Sequence, residues 1–433
     1  MKTGNKSKFY LALVIFSLVG QVAWVVENMY FNVFIYKMFN ADAAAISSMV
    51  TASAVAATVT TLLIGALSDK LGKRKIFICG GYLCWGVSIL CFGFVRMDIL
   101  SSIVPAAQAA SLGISLVIIL DCVMTFFGSS ANDACFNAWL TDATDENSRG
   151  AVEGINAMMP LVAILVVFGG FMGFDQSLPD TWTAIFCIIG GVVFLIGILG
   201  FFLIEEPKMD RTGNENYFKN IFYGFRPKVI GKNKPLYLAL VAYALFGISI
   251  QIFMPYLIIY YEVSLQMTDY VLIFAPAIIL AAVFTFFYGR VYDKKGFGFA
   301  VLPSLSLLMA GYVLLFFFKD TVMVFIGTVL MLCGYLSGMA VFGAVIRDFT
   351  PANKAGMFQG QRIVGQVLIP GIIGPMIGKA VLSGAETIIN GDGTESFKPN
   401  ENIFLAALVA AVVLTACVIP MMGKLKKEKE NDK

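Results

Sequence analysis

Histidine is absent from all 433 residues, and only 14% of them carry a charge. The first absence removes imidazole from any metal site, nucleophile triad or proton relay. The second excludes an ordinary soluble domain, whose surface is built from charged side chains. Cysteine is sparse and follows no pairing pattern: Cys79, Cys84, Cys91, Cys122, Cys135, Cys187, Cys333 and Cys417 all fall inside apolar runs. They read as small packing residues, with neither a disulfide framework nor a metal site. With a net charge of only +3, no nucleic-acid partner is expected. Gly-rich phosphate loops and nucleophile constellations are missing too, so neither an enzyme nor a cofactor is expected.

What is present is apolar: 58% hydrophobic residues and a mean hydropathy of +0.81. Lipid is the solvent that suits such a chain. A bilayer core takes roughly 20 apolar residues per helix. That length predicts twelve spans, at 9–36, 44–67, 76–95, 113–138, 151–174, 182–204, 236–261, 270–289, 298–318, 321–346, 358–382 and 402–423. The runs are continuous and do not alternate, which argues against membrane strands. An even count puts both termini on one side. Segments on that side hold 25 of the 31 basic residues, so the termini are expected in the cytoplasm of a multi-pass cell-membrane protein. The first run, starting near Phe9, is too long for a signal-peptide core, so no cleavable leader is expected. The polar stretch 205–235 divides the spans six and six, and 383–400 is an outer loop without a visible motif.

The chain also repeats itself. After the second span it reads GALSDKLG, with Gly65, Asp69 and Gly72; after the eighth it reads GRVYDKKG, with Gly289, Asp293 and Gly296 at identical spacing. A second pair follows the fourth and tenth spans. Asp142, Thr144, Asn147, Gly150 and Gly154 recur at the intervals of Asp348, Thr350, Asn353, Gly356 and Gly360. Glycine at a helix end permits a tight turn and close helix approach, and aspartate there accepts from backbone N–H groups or an arginine. Two different loops thus repeat in the same order in both halves of the chain, which chance explains poorly.

Gly65, Asp69, Gly72, Lys73 and Arg74 resemble the loop 2–3 signature of the major facilitator superfamily, and Gly289, Asp293 and Gly296 resemble its degenerate second copy. The resemblance spans essentially the whole chain. It implies an all-α membrane protein of twelve transmembrane helices in two pseudo-symmetric six-helix bundles, working by alternating access. The candidate gating residues are then Gly65, Asp69, Gly72, Arg74, Asp142, Arg149, Glu153, Gly289, Asp293, Gly296 and Asp348. Within that superfamily the run from Asp133 to Arg149 is similar to the glycoside–pentoside–cation symporters typified by the melibiose carrier. That likeness implies that Asp133 lies near a sugar. The branch's sodium site uses acidic residues in the second span, whereas 57–61 here holds Thr58, Thr60 and Thr61 but no carboxylate. A proton is therefore favoured over sodium.

Ionisable groups at mid-bilayer cost about 2.5–3.5 kcal/mol on insertion scales, so each marks a candidate site. In the first span Gln21, Trp24, Asn28 and Asn32 step along one helical face beside Glu27. In the fourth, Asp133 and Asn137 are four apart, with Asp121 twelve residues before Asp133. A carboxylate accepts hydroxyls and an amide both donates and accepts, which suits a hydroxyl-rich ligand. The eleventh span carries Arg362 and Gln366 on one face, and Arg362 calls for an anionic partner such as Glu27 or Asp133. Gln251 in the seventh span, with Tyr243 and Phe246, is a candidate for an opposite wall. The expected substrate site is Trp24, Asn28, Asn32, Asp133, Asn137, Gln251, Arg362 and Gln366. The expected cation-coupling residues are Glu27, Asp133 and Asp121. Pro255 and Pro276 are candidate bends in the seventh and eighth spans.

The expected organisation is an N-terminal bundle at 1–204, a cytoplasmic linker at 205–235, a C-terminal bundle at 236–423 and a charged tail at 424–433. The expected function is uptake of a small sugar or glycoside coupled to a cation, by a monomer in the bilayer. The alternative is export of an amphipathic drug or lipid through a cavity lined by the 38 Phe and 20 Met.

Overall fold

The computed structural model describes residues 6–144, 146–206, 222–350, 358–389 and 394–431. Among them, twelve helices are long and apolar enough to cross a membrane. They are α1 (Lys6–Phe39), α2 (Ala43–Leu71), α3 (Lys75–Phe92), α4 (Gln108–Ala143), α5 (Gly154–Phe171), α6 (Pro179–Leu203), α7 (Lys234–Ser264), α8 (Val271–Lys295), α9 (Phe297–Phe317), α10 (Thr321–Phe349), α11 (Gly360–Leu382) and α12 (Asn402–Gly423). The chain divides into two compact units, Met1–Lys219 and Asn220–Lys433, with six spans in each.

Large apolar side chains cover the outside of each unit, among them Phe202 in the first and Phe286 and Phe317 in the second. In water this would be a liability; in lipid it is the expected surface. Association between apolar helices in lipid has to come from close packing, and small residues at the contacts supply it. A Cβ on Gly86 of α3 would lie 2.6 Å from the backbone N of Phe194 on α6. In the second unit a Cβ on Gly334 of α10 would lie 2.3 Å from the backbone N of Leu308 on α9. Helix starts are capped from the sequence: Asp42 accepts from Ala45 N at 2.7 Å ahead of α2, and Asp320 from Met323 N at 3.1 Å ahead of α10.

Four spans are not uniform α-helix. π-Helical turns occupy Val26–Tyr30 in α1, Ser129–Phe136 in α4, Tyr260–Ser264 in α7 and Val364–Leu368 in α11. A one-residue bulge of this sort loosens the hydrogen-bond ladder and re-aims side chains, and such turns often occur at functional sites. Pro255 sits in a 3₁₀ turn, Met254–Tyr256, that interrupts α7. Pro276, by contrast, is carried inside α8. The loop before α12 holds a short antiparallel ladder, β1 (Thr387–Ile389) with β2 (Glu395–Phe397), where the sequence showed no motif.

Candidate transport site

The π turns of α1 and α4 bring the embedded polar groups of the first unit together. Asp133 stands in the α4 turn, half-buried. Its Oδ2 accepts from the Ser129 hydroxyl at 3.0 Å, and its Oδ1 faces the Asn132 amide at 3.4 Å. The indole N–H of Trp24 on α1 is directed at this carboxylate. Behind Asp133, Asn132 Oδ1 lies 3.1 Å from the hydroxyl of Tyr82 on α3, which also donates to Phe16 O at 2.8 Å. Gly20 leaves the room for that arrangement: a Cβ there would sit 2.6 Å from Asn132 Oδ1 and 2.7 Å from the Tyr82 oxygen. Trp24 leans on the buried Trp85 at 5.0 Å between ring centroids.

A second cluster lies further along the same helices. Glu27 is buried in the α1 turn, and its Oε1 accepts from Ser53 of α2 at 2.5 Å and from Thr125 of α4 at 2.9 Å. The two hydroxyls are themselves 2.8 Å apart. Asp121, one turn from Thr125 on α4, is 1% exposed. Glu27 Oε2 and Asp121 Oδ1 have no hydrogen-bond partner among the described residues. A buried carboxyl group whose oxygen lacks a donor is costly to keep ionised, and it is neutralised by taking up a proton or pairing with a cation.

The remaining sequence candidates fall in several places. Asn28 and Asn32 turn their amide N–H back to the α1 backbone, onto Trp24 O at 2.8 Å and Asn28 O at 2.9 Å. Asn137 accepts from Asn156 of α5 at 3.4 Å, and Asn156 accepts from Ser17 of α1 at 2.5 Å. In the second unit Gln251 lies at the tight contact of α7 with Gly374 on α11, where a Cβ would meet its own at 2.4 Å. Arg362 is exposed, two residues inside the start of α11, and its Nε faces Gln366 Oε1 at 3.4 Å. Tyr243 lies within the reach of its charge, beside the stacked rings of Phe246 and Phe342.

The two turns also differ. Gly72 closes α2 with φ 62°, a conformation that glycine adopts without strain. Arg74 follows, buried, and ties three partners together: it pairs with Asp69, reaches Asp142 at 3.1 Å and donates to Ser68 at 2.5 Å. Burial opposes its charge, yet the Asp69 and Asp142 carboxylates outweigh that penalty and hold its proton more tightly than in water. Glu206 accepts from the backbone N–H of Arg74 at 2.5 Å and of Lys75 at 3.1 Å, capping α3. In the second unit Gly296 takes φ 76°, and Gly298 occupies the place of Arg74 in the repeat. There Tyr292, in register with Ser68, donates to Asp348 at 2.8 Å, and Asp293 is exposed. The side chains of Arg149 and Glu153 lie outside the described residues.

A family profile described as Major Facilitator Superfamily matches residues 10–375. The chain belongs to that superfamily. It is therefore a multi-pass membrane transporter of small molecules. Its fold is similar to that of a mutant form of the nucleoside transporter NupG, at TM-score 0.71, 13% identity, 95% of this chain and 99% of that one. It is also similar to a bacterial homologue of the human lysosomal transporter Spinster, solved inward-facing and unoccupied, at TM-score 0.70, 15% identity, 98% of this chain and 99% of that one. At such identities the likeness is one of fold. No curated relative matches in sequence.

For this major facilitator transporter, sequence reasoning missed Ser53, Thr125, Ser129 and Tyr82 as parts of the candidate site. A serine or threonine in an apolar span ordinarily bonds to its own helix backbone, as Thr58 does to Ala54 O at 2.8 Å. The available signal was spacing: Asp121 and Thr125 are four apart on α4, as are Ser129 and Asp133.

Proposed function

We propose that the chain imports a sugar or glycoside by alternating access, coupled to a cation, with the proton favoured over sodium. It does so as a monomer in the cell membrane, with both termini cytoplasmic. The observation that carries this reading is the division of labour on α1 and α4. Asp133, with the Trp24 indole beside it, offers hydrogen-bond capacity to a polar solute, and the buried Glu27–Asp121 pair offers a place for the coupling charge. The run 133–149, similar to the melibiose-carrier branch, supports a sugar. The missing carboxylates at 57–61 speak against that branch's sodium site. The test is uptake of labelled sugars into proteoliposomes under an imposed pH gradient or an imposed sodium gradient. Accumulation driven by pH alone supports the reading, and uptake that ignores both gradients refutes coupling.

A second reading, export of an amphipathic drug or lipid, draws on one observation. The first unit has a cleft of about 180 Å³ with Phe34, Phe92 and Trp182 beside Lys37 and Arg96. Export predicts that loss of the protein sensitises cells to hydrophobic cations while growth on sugars is intact.

A further inference from the structure

The polar stretch 205–235 ends in a short amphipathic segment that the transport site does not use. It runs as a 3₁₀ turn, Tyr223–Phe225, and a six-residue helix, Pro227–Lys232, and leads at Lys234 straight into α7. One side of it is fixed to the second unit. Gly224 is buried against Gln361, where a Cβ would lie 2.2 Å from the amide carbon, and its carbonyl accepts from the Tyr237 hydroxyl. The Tyr223 ring meets Phe358 at 6.0 Å between centroids, and the Asn233 amide donates to Val229 O at 2.9 Å. The other side is apolar and open: Phe222 is 65% exposed, Phe225 42% and Ile230 37%.

On the same segment stand Arg226, Lys228, Lys232 and Lys234, all exposed and none in an ion pair among the described residues. No acidic residue occurs in the sequence between Glu215 and Glu262, so their charge is not offset locally. Apolar side chains flanked by cations suit the boundary between acyl chains and anionic headgroups. The length of α7 supplies the depth. Its 31 residues span roughly 45 Å against a hydrocarbon core of roughly 30 Å, so its first turns reach headgroup level. Leu238 and Val241 are exposed within those turns, and the segment thus joins a lipid-facing surface. A soluble polyanion would meet the cations and leave Phe222, Phe225 and Ile230 in water. We propose that Phe222–Lys234 is an interfacial anchor for anionic phospholipid, its apolar side chains entering the acyl boundary and its four cations holding phosphate groups. Lipid held there braces the ends of α7 and α11 that the segment touches. Such binding is independent of the solute carried, and its test does not depend on which leaflet this face meets.

The experiment is native mass spectrometry of the purified full-length protein, titrated in neutral detergent with phosphatidylglycerol and separately with phosphatidylcholine of the same chains. The anionic lipid binds about tenfold or more tightly than the zwitterionic one, since each cation near a lipid surface contributes about a fivefold preference. R226Q/K228Q/K232Q/K234Q cuts that preference by about fivefold or more. K424Q/K426Q/K427Q/K429Q, which removes the same charge from the tail, leaves it within about twofold. F222S/F225S/I230S weakens both lipids several-fold, and glycerol 3-phosphate at the same concentration does not displace the bound lipid. Equal binding of the two lipids by the unaltered protein overturns the proposal, as does a tail variant that loses the preference as fully as the segment variant. Displacement by glycerol 3-phosphate would assign the cations to a free phosphate and overturn it too. Should a multiple variant fail to fold, hydrogen exchange of residues 222–233 in nanodiscs decides alone. Slower exchange with phosphatidylglycerol than with phosphatidylcholine supports the anchor, and equal rates refute it.

Discussion

Gly20→Ala is a small change with a calculable consequence. The added methyl would sit 2.6 Å from Asn132 Oδ1 and 2.7 Å from the Tyr82 oxygen, inside the floor of ordinary contact. Both atoms are the ends of side chains, so the bundle need not come apart; the two groups are pushed off each other instead. Tyr82 is fully buried and Asn132 nearly so, which leaves the displaced polar atoms without water. A buried group deprived of its partner costs about 1–3 kcal/mol, and overpacking costs a similar amount. For a unit of roughly two hundred residues, each kcal/mol lowers the melting temperature by about 2–4 °C. The second effect is on Asp133, which loses the restraint of the Asn132 amide. Thermal unfolding in detergent and ligand titration measure the two effects, with Gly169→Ala as the control because a Cβ there meets nothing within 4 Å. If Gly20→Ala melts with the control and binds with unaltered affinity, the restraint on Asp133 does not exist.

Arg74→Ala removes the pairings with Asp69 and Asp142 and the bond to Ser68, and is expected to destabilise the first unit by about 1.5–3 kcal/mol, tempered by the partial exposure of both aspartates. Arg74→Lys recovers only part of this, because one ammonium cannot serve three partners in a planar fork; chemical denaturation of the three proteins gives the order. Tyr292→Phe removes the hydrogen bond to Asp348 at 2.8 Å and is expected to cost about 1 kcal/mol, less than Arg74→Ala. An equal or larger loss at Tyr292 would show that the two turns are not the unequal clamps described above.

The spans were legible because lipid imposes one demand, a continuous apolar run, that composition alone displays. The α1 and α12 runs, read as 9–36 and 402–423, emerge as Lys6–Phe39 and Asn402–Gly423. Trp24, Glu27, Asp121 and Asp133 could be singled out because polar groups are conspicuous against an apolar run. What decides how they meet was not legible. The π turns at Val26–Tyr30 and Ser129–Phe136 insert their extra residue without any change in the apolar pattern. Ser53 and Thr125 resemble any back-bonded hydroxyl until α1, α2 and α4 bring them onto one carboxylate. Glu206, read as part of the polar linker 205–235, caps α3, a partnership across 132 residues that no local pattern announces.

The most direct test of the account is to separate accumulation from exchange in proteoliposomes carrying Glu27→Gln or Asp121→Asn. The account predicts that either variant loses uphill accumulation driven by a cation gradient and retains counterflow of the same labelled solute. Uphill accumulation undiminished in both variants would contradict it.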